Sequence, residues 1–110
     1  CSLLEGAAEQ MRERLDNITI LTPTIPVLHN AEVTSYSDAT SIKDALVRQL
    51  YSPVRWVETV QAFGKQGVTH NVECAPGKVL VGLNKRIDKN QQAMAINDGE
   101  ALKTVLAALA

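Results

Sequence analysis

Asp44–Trp56 reads DALVRQLYSPVRW, and the rest of the chain is organised around it. A helix starting near Ser41, at 3.6 residues per turn, lines up Ile42, Ala45, Leu46, Gln49, Leu50 and Pro53 on one stripe, so Gln49 is expected on the buried face. A buried carboxamide left unpaired costs about 1–3 kcal/mol, so either a structural hydrogen bond or an active-site contact has to hold it. Ser52 can cap and Pro53 can open a following helix, which predicts two helices meeting at an abrupt corner beside Gln49.

Upstream, Leu3, Ala7, Met11, Leu15 and Ile18 recur every three or four residues and predict an amphipathic helix over Leu3–Ile18. Thr22–Asn30, TPTIPVLHN, sets two prolines around a short apolar run. A strand is expected near Ile25–Leu28, its continuous apolar character suiting a parallel strand covered on both faces. Ala31–Ala39 has no period and reads as a loop with a short extension at Glu32–Ser35. Thr40 or Ser41 is the expected cap of the next helix, which runs to about Tyr51.

Downstream, a helix from Pro53 to about Gln66 turns Trp56, Val57, Val60 and Phe63 inward and stops at Gly67. Val68, His70, Val72 and Cys74 alternate with polar residues, predicting a strand. Ala75-Pro76-Gly77 turns into a helix over Lys78–Ile87 with Val79, Leu80, Leu83 and Ile87 on its apolar stripe. Ala93–Ile96 suits a third strand, and Asp98 caps a last helix, Ala101–Ala110, with Leu102, Val105, Leu106 and Leu109 inward. This alternation calls for a three-layer α/β fold in which short parallel strands are flanked by helices. Three such strands leave edges that something else has to cover.

With 110 residues, 45% of them hydrophobic, the chain is one domain at most and has ample material for a core. Eleven basic against 12 acidic residues, net charge −1, argue against general nucleic-acid or membrane-surface binding. No apolar run reaches about 18 residues and no basic, then apolar, leader pattern appears, so a cytoplasmic location is the default. Cys1 and Cys74 lack a Cys-x-x-Cys or His-x-x-x-His companion and read as reduced thiols; no metal site is expected, and Cys74 reads as a small buried hydrophobe. His29 and His70 have no nucleophile motif nearby and read as structural. No Met precedes Cys1, and an apolar helix pattern begins at once; an upstream segment is expected, although removal of a leader would look the same.

Three motifs, TPTIPVLHN, DALVRQLYSPVRW and GVTHNVECAPGKVLVGLNKRI, occur in an order and at separations that resemble the C-terminal part of malonyl-CoA:acyl-carrier-protein transacylases of fatty-acid biosynthesis. The resemblance runs from Cys1 nearly to Ala110 and implies that residues 1–110 are the C-terminal portion of an α/β-hydrolase-like acyltransferase subdomain, incomplete because the segment carrying the nucleophile lies upstream. The family transfers malonyl from coenzyme A through a serine ester, with a Ser/His pair. Its Gly-His-Ser-Leu-Gly type elbow is absent here, and its catalytic histidine directly precedes the position matched by Cys1, so this chain alone is expected to be inactive.

By the same resemblance, Gln49 is the residue whose main-chain carbonyl accepts a hydrogen bond from the upstream histidine, standing in for a triad carboxylate. Val79 is implied to line the acyl pocket. Lys78, Lys85 and Arg86, which by composition alone are a solvated helix face, fall where the resemblance implies a docking surface for acidic acyl carrier protein. The implied partners are the carrier protein and the N-terminal remainder of the enzyme, with no nucleic acid or membrane. No cofactor is implied beyond the coenzyme A thioester as substrate. The residues also admit an acyltransferase domain of a polyketide synthase, or a non-catalytic α/β module binding a partner through Lys78, Lys85 and Arg86. Cys74-Ala75 and His29 depart from the family pattern, where an apolar residue with Gly and an Asn are usual.

Overall fold

A computed structural model describes residues 1–74 and 76–110; Ala75, part of the expected Ala75-Pro76-Gly77 turn, lies outside the described residues. The chain divides into two compact units, Cys1–Thr59 and Val60–Ala110, with the division falling inside a helix.

In the first unit a single 3-10 turn, Ser2–Leu4, leads into α1, Glu5–Asp16, and α2 spans Ala39–Arg48. The two helices pack through Ala8, Leu15 and Val47, with Met11, Ile20, Leu46 and Leu50 around them. The expected stripe of α1 is corrected at its ends. Leu3 is 89% exposed because it lies in the 3-10 turn, ahead of the 3.6-residue register of α1, and within α1 Ala8, two turns before Leu15, is buried in place of Ala7. Ile18 lies past the end of α1 and is also exposed. α2 is capped by Asp38, whose carboxylate accepts the Ser41 N–H at 2.8 Å, and not by Thr40 or Ser41, which sit in its first turn.

The strand expected near Ile25–Leu28 is also corrected. β1 is only Leu28–His29, and it pairs antiparallel with β2, Thr34–Ser35, so that Leu28 faces Ser35 and His29 faces Thr34. Pro23 and Pro26 have no N–H to give a ladder, and Ile25 is 76% exposed where a two-sided parallel strand would bury it. The turn joining the two strands is tight. Glu32 and Val33 both donate their N–H to the His29 carbonyl, at 3.2 and 2.7 Å, and Val33 takes φ 55°. A β-branched residue in that left-handed region costs about 1–2 kcal/mol. From this turn the Glu32 carboxylate meets Arg48 Nε at 2.5 Å, Arg48 Nη2 at 3.2 Å and the Tyr36 hydroxyl at 2.5 Å. The Arg48 and Tyr36 hydrogen bonds hold its carboxyl at about 2, well below the usual carboxylate range.

The second unit begins within α3, Trp56–Lys65. Gly67, at φ 82°, donates to the Gly64 carbonyl and Val68 to the Phe63 carbonyl, both at 3.0 Å, the paired closure that a left-handed glycine makes possible at a helix end. β3, His70–Glu73, and β4, Gln92–Ala95, are parallel, with His70 opposite Gln92 and Glu73 opposite Ala95, and α4, Val79–Ile87, makes the crossover between them. α5, Gly99–Leu109, starts as expected under Asp98, which accepts the Ala101 N–H at 2.8 Å. Lys78 gives α4 no side-chain cap; Glu73, at the end of β3, accepts the Val81 N–H at 3.0 Å instead. Gln91, 5% exposed, gives its amide N–H groups to the Val60 carbonyl and to Asp88, and its carbonyl takes the Asn71 amide, which joins α3, β3 and the turn before β4.

The α/β class therefore holds, with parallel pairing confined, among the described residues, to β3 and β4. Several expected inward faces do not. Cys74 is exposed, β3 is half-buried at all four positions rather than alternating, and Val57 faces solvent while Thr59 is buried, its hydroxyl donating to the Arg55 carbonyl at 2.9 Å. On α4 the buried residue is Asn84, with Val79 and Leu83 outward; on α5 only Val105 is buried, and Leu102, Leu106 and Leu109 are exposed. A two-stranded sheet offers each helix a narrow strip, so the period finds the apolar face but much of that face stays uncovered in this chain.

Three outcomes follow. Gly64→Ala lowers stability by about 1–2 kcal/mol in urea unfolding, because its Cβ would lie 2.8 Å from Asp88 Oδ2 and 2.9 Å from Gln91 Nε2 and would break hydrogen bonds of a buried amide. Gly82→Ala, on the open side of α4 with nothing within 4 Å, raises stability by about 0.5–1 kcal/mol. For Glu32, the folded-state pKa lies below its ordinary 4.5, so its stabilisation is complete above about 4.5 and is lost as the pH falls toward about 2. Arg48, Tyr36 and His29 are the groups facing it. Melting temperature measured through that window drops, and Glu32→Gln flattens the drop.

Candidate functional site

Gln49 ends α2, with φ −63° and ψ −23°, and its N–H donates to the Ala45 carbonyl at 3.0 Å. Helical continuation would require its own carbonyl to be met by the N–H of residue 53. Pro53 has no such hydrogen. The neighbouring carbonyls are occupied: Val47 receives the Leu50 N–H at 3.2 Å, and Arg48 receives the Tyr51 N–H at 3.3 Å and the Ser52 hydroxyl at 2.7 Å. The corner thus leaves the Gln49 carbonyl without its helical donor at the negative end of the α2 dipole, the electrostatics an N–H donor favours.

The corner is built differently from the expected helix-to-helix joint. Ser52 spends its hydroxyl on Arg48 and caps nothing after it, Pro53 does not start a helix, and α3 begins three residues later at Trp56. The Arg55 N–H, just ahead of α3, is held by the Asn30 carbonyl at 2.8 Å. Gln49 itself is half-buried rather than on a fully buried face. The Cys1 backbone nitrogen donates to the Tyr51 carbonyl at 2.8 Å, so Cys1 lies against the same corner.

The other sequence-derived site residues lie in the second unit, on α4 or at its start. Lys78, Val79, Lys85 and Arg86 are all exposed, Val79 at 73%. Val79, Leu83 and Arg86, spaced by four and three residues, share one exposed stripe, with Lys78 and Lys85 on the neighbouring one. The result is a short apolar strip edged by three cations. Lys85 and Arg86 sit in the last turn, where the dipole favours positive charge.

The histidines keep to structural surroundings. His29 is buried, with its ring 5.6 Å from that of Tyr36, and His70 Nδ1 is 2.9 Å from the Thr69 hydroxyl. Both cysteines are free thiols. Among the described residues no helix is long and apolar enough to cross a membrane. Glu32, Tyr36 and the Arg48 side chain escape the sequence reading because they meet across 16 residues through an irregular turn, which no periodicity reports.

No protein-family model matches the chain. The malonyl CoA-acyl carrier protein transacylase of Haemophilus influenzae is 50% identical over 105 residues, which are 96% of this chain and 34% of that protein. The Bacillus subtilis protein of the same name is 36% identical over 97% of this chain and 34% of its own length. Among solved structures, an acyl carrier protein S-malonyltransferase from Vibrio cholerae superposes with a TM-score of 0.91 at 46% identity, covering 96% of this chain and 34% of that one. A malonyl-transacylase in complex with a type II polyketide acyl-carrier protein superposes with a TM-score of 0.94 at 44% identity, covering 98% and 35%. The chain spans about a third of the length of the curated relatives it matches. Over nearly all of its own length it is similar to the C-terminal portion of malonyl CoA-acyl carrier protein transacylases.

Proposed function

We propose that this chain supplies the C-terminal part of a transferase that moves a malonyl group from coenzyme A to an acyl carrier protein in fatty-acid biosynthesis. The reading is carried by 50% identity to a malonyl transacylase across almost the whole chain, together with a carbonyl at Gln49 whose helical donor is removed by Pro53. The serine and the histidine come from residues outside this chain, so the chain alone transfers nothing. The exposed apolar residues of α5 fit a surface covered by that remainder.

The chemistry proceeds by two exchanges at one serine. Its hydroxyl attacks the malonyl thioester carbonyl while the imidazole takes its proton; the C–S bond breaks and coenzyme A leaves as the thiol, carrying that proton. The carrier protein's thiol then reverses the sequence, freeing the serine. Gln49 holds one ring N–H through its carbonyl, fixing the tautomer and presenting the other nitrogen to the serine; a neutral acceptor does this without a carboxylate. Val79 lines the acyl pocket. Lys78, Lys85 and Arg86 receive the acidic carrier, chiefly by raising the encounter rate. The substrate is the coenzyme A thioester itself, and no other cofactor takes part.

Transfer of radiolabelled malonyl from coenzyme A to carrier protein tests the reading. The intact protein labels the carrier and the 110-residue chain does not; labelling by the chain alone contradicts it. Delivery to a polyketide carrier is a second reading, favoured by the similarity to the transacylase solved with such a carrier, and the same assay with both carriers separates the two. Gln49→Ala keeps most of the transfer rate because the backbone does the work, whereas Pro53→Ala, which supplies an N–H for the Gln49 carbonyl, lowers kcat by about tenfold, equivalent to ~1.4 kcal/mol. Reversing Lys78, Lys85 and Arg86 to Glu raises KM for the carrier and weakens its salt dependence, with KM for malonyl-CoA unchanged.

A further inference from the structure

Both ends of the Gln49–Arg55 corner are tied to one turn, and that turn is held in a conformation its sequence disfavours. At the front, the Arg48 guanidinium meets both oxygens of Glu32, at 2.5 and 3.2 Å. At the back, the Arg55 N–H donates to the Asn30 carbonyl at 2.8 Å, and Arg55 Nη1 reaches the Glu32 carbonyl at 3.4 Å. Tyr36 steadies the second carboxylate oxygen from the side. Between these anchors sits Val33, β-branched and at φ 55°. The Glu32–Arg48 pair adds stability, but a stabilising pair does not by itself require a strained turn beside a corner with a carbonyl lacking its helical donor. What a two-pronged Arg–carboxylate contact adds is orientation: it fixes the guanidinium plane and, through it, the backbone to which it is attached.

We propose that Glu32 and Arg48 are positioning residues that hold the backbone from Arg48 through Gln49, so that the Gln49 carbonyl keeps the direction from which it accepts the hydrogen bond of the imidazole N–H. The inference rests on the transacylase reading above. It adds a carboxylate that acts two steps away from the ring, through Arg48 and a backbone carbonyl, where no sequence spacing would place it.

The test uses the intact protein. Glu32→Gln, Arg48→Met, Val33→Gly and the conservative Glu32→Asp are compared for single-turnover malonylation of the serine as a function of pH, for KM of malonyl-CoA and for melting temperature. The expected result is an acylation rate lower by about tenfold in Glu32→Gln and Arg48→Met with KM unchanged, a displaced imidazole limb of the pH profile, and recovery of most of the rate in Glu32→Asp. Val33→Gly relieves the strained turn and keeps or raises the melting temperature while lowering the acylation rate, a split that a purely structural role does not produce. Glu100→Gln, which breaks the exposed pair with Lys103 on α5, leaves rate and profile unchanged. Folded Glu32→Gln, Arg48→Met and Val33→Gly variants with unaltered rate and profile, or a loss confined to KM or to melting temperature, overturn the inference alone. An intact unaltered protein that forms no malonyl-serine overturns the transacylase reading and this inference with it.

Discussion

Pro53 has no amide hydrogen, and that single absence shapes the end of α2. Just before Gln49 the chain satisfies its carbonyls by ordinary means, closing the last turn onto Val47 and Arg48 and adding the Ser52 hydroxyl. At Gln49 the next helical donor does not exist. A carbonyl left open at a helix C-terminus carries the negative end of the dipole and attracts any N–H brought to it. Around it, Glu32 grips Arg48, Asn30 grips Arg55 and Tyr51 receives Cys1, so the corner is tied down on three sides while its carbonyl direction is left without a helical donor.

Much of this was legible in the sequence. The period through Ile42, Ala45 and Leu46 identified α2, the left-handed glycine at 67 marked the end of α3, and Asp98 capped α5 where expected. What periodicity missed follows a common cause. Pattern arguments assign a residue to a face, but whether the face is covered depends on what lies against it; Leu102, Leu106 and Leu109 are on the apolar side of α5 and remain exposed. The strand near Ile25 failed because two prolines remove ladder donors that a count of apolar residues does not register. The clamp on α2 was invisible because Glu32 and Arg48 are joined by a turn whose left-handed Val33 no propensity favours.

The second unit depends on polar connectors as much as on apolar contact. Glu73 caps a helix that its own sequence leaves uncapped, and the Gln91 amide reaches three elements at once, each hydrogen bond replacing one that water would otherwise make. Holding α4 by its buried side in this way leaves Val79, Leu83, Lys85 and Arg86 turned outward. That face is apolar in the middle and cationic at the edges.

The most direct test of the central claim is the structure of the intact protein with its histidine in place. The account predicts an imidazole nitrogen about 2.7–3.2 Å from the Gln49 carbonyl oxygen, with no backbone N–H on that oxygen. A ring paired instead with a carboxylate, or a Gln49 carbonyl already bonded within the backbone and directed away from the patch beside Cys1, would contradict it.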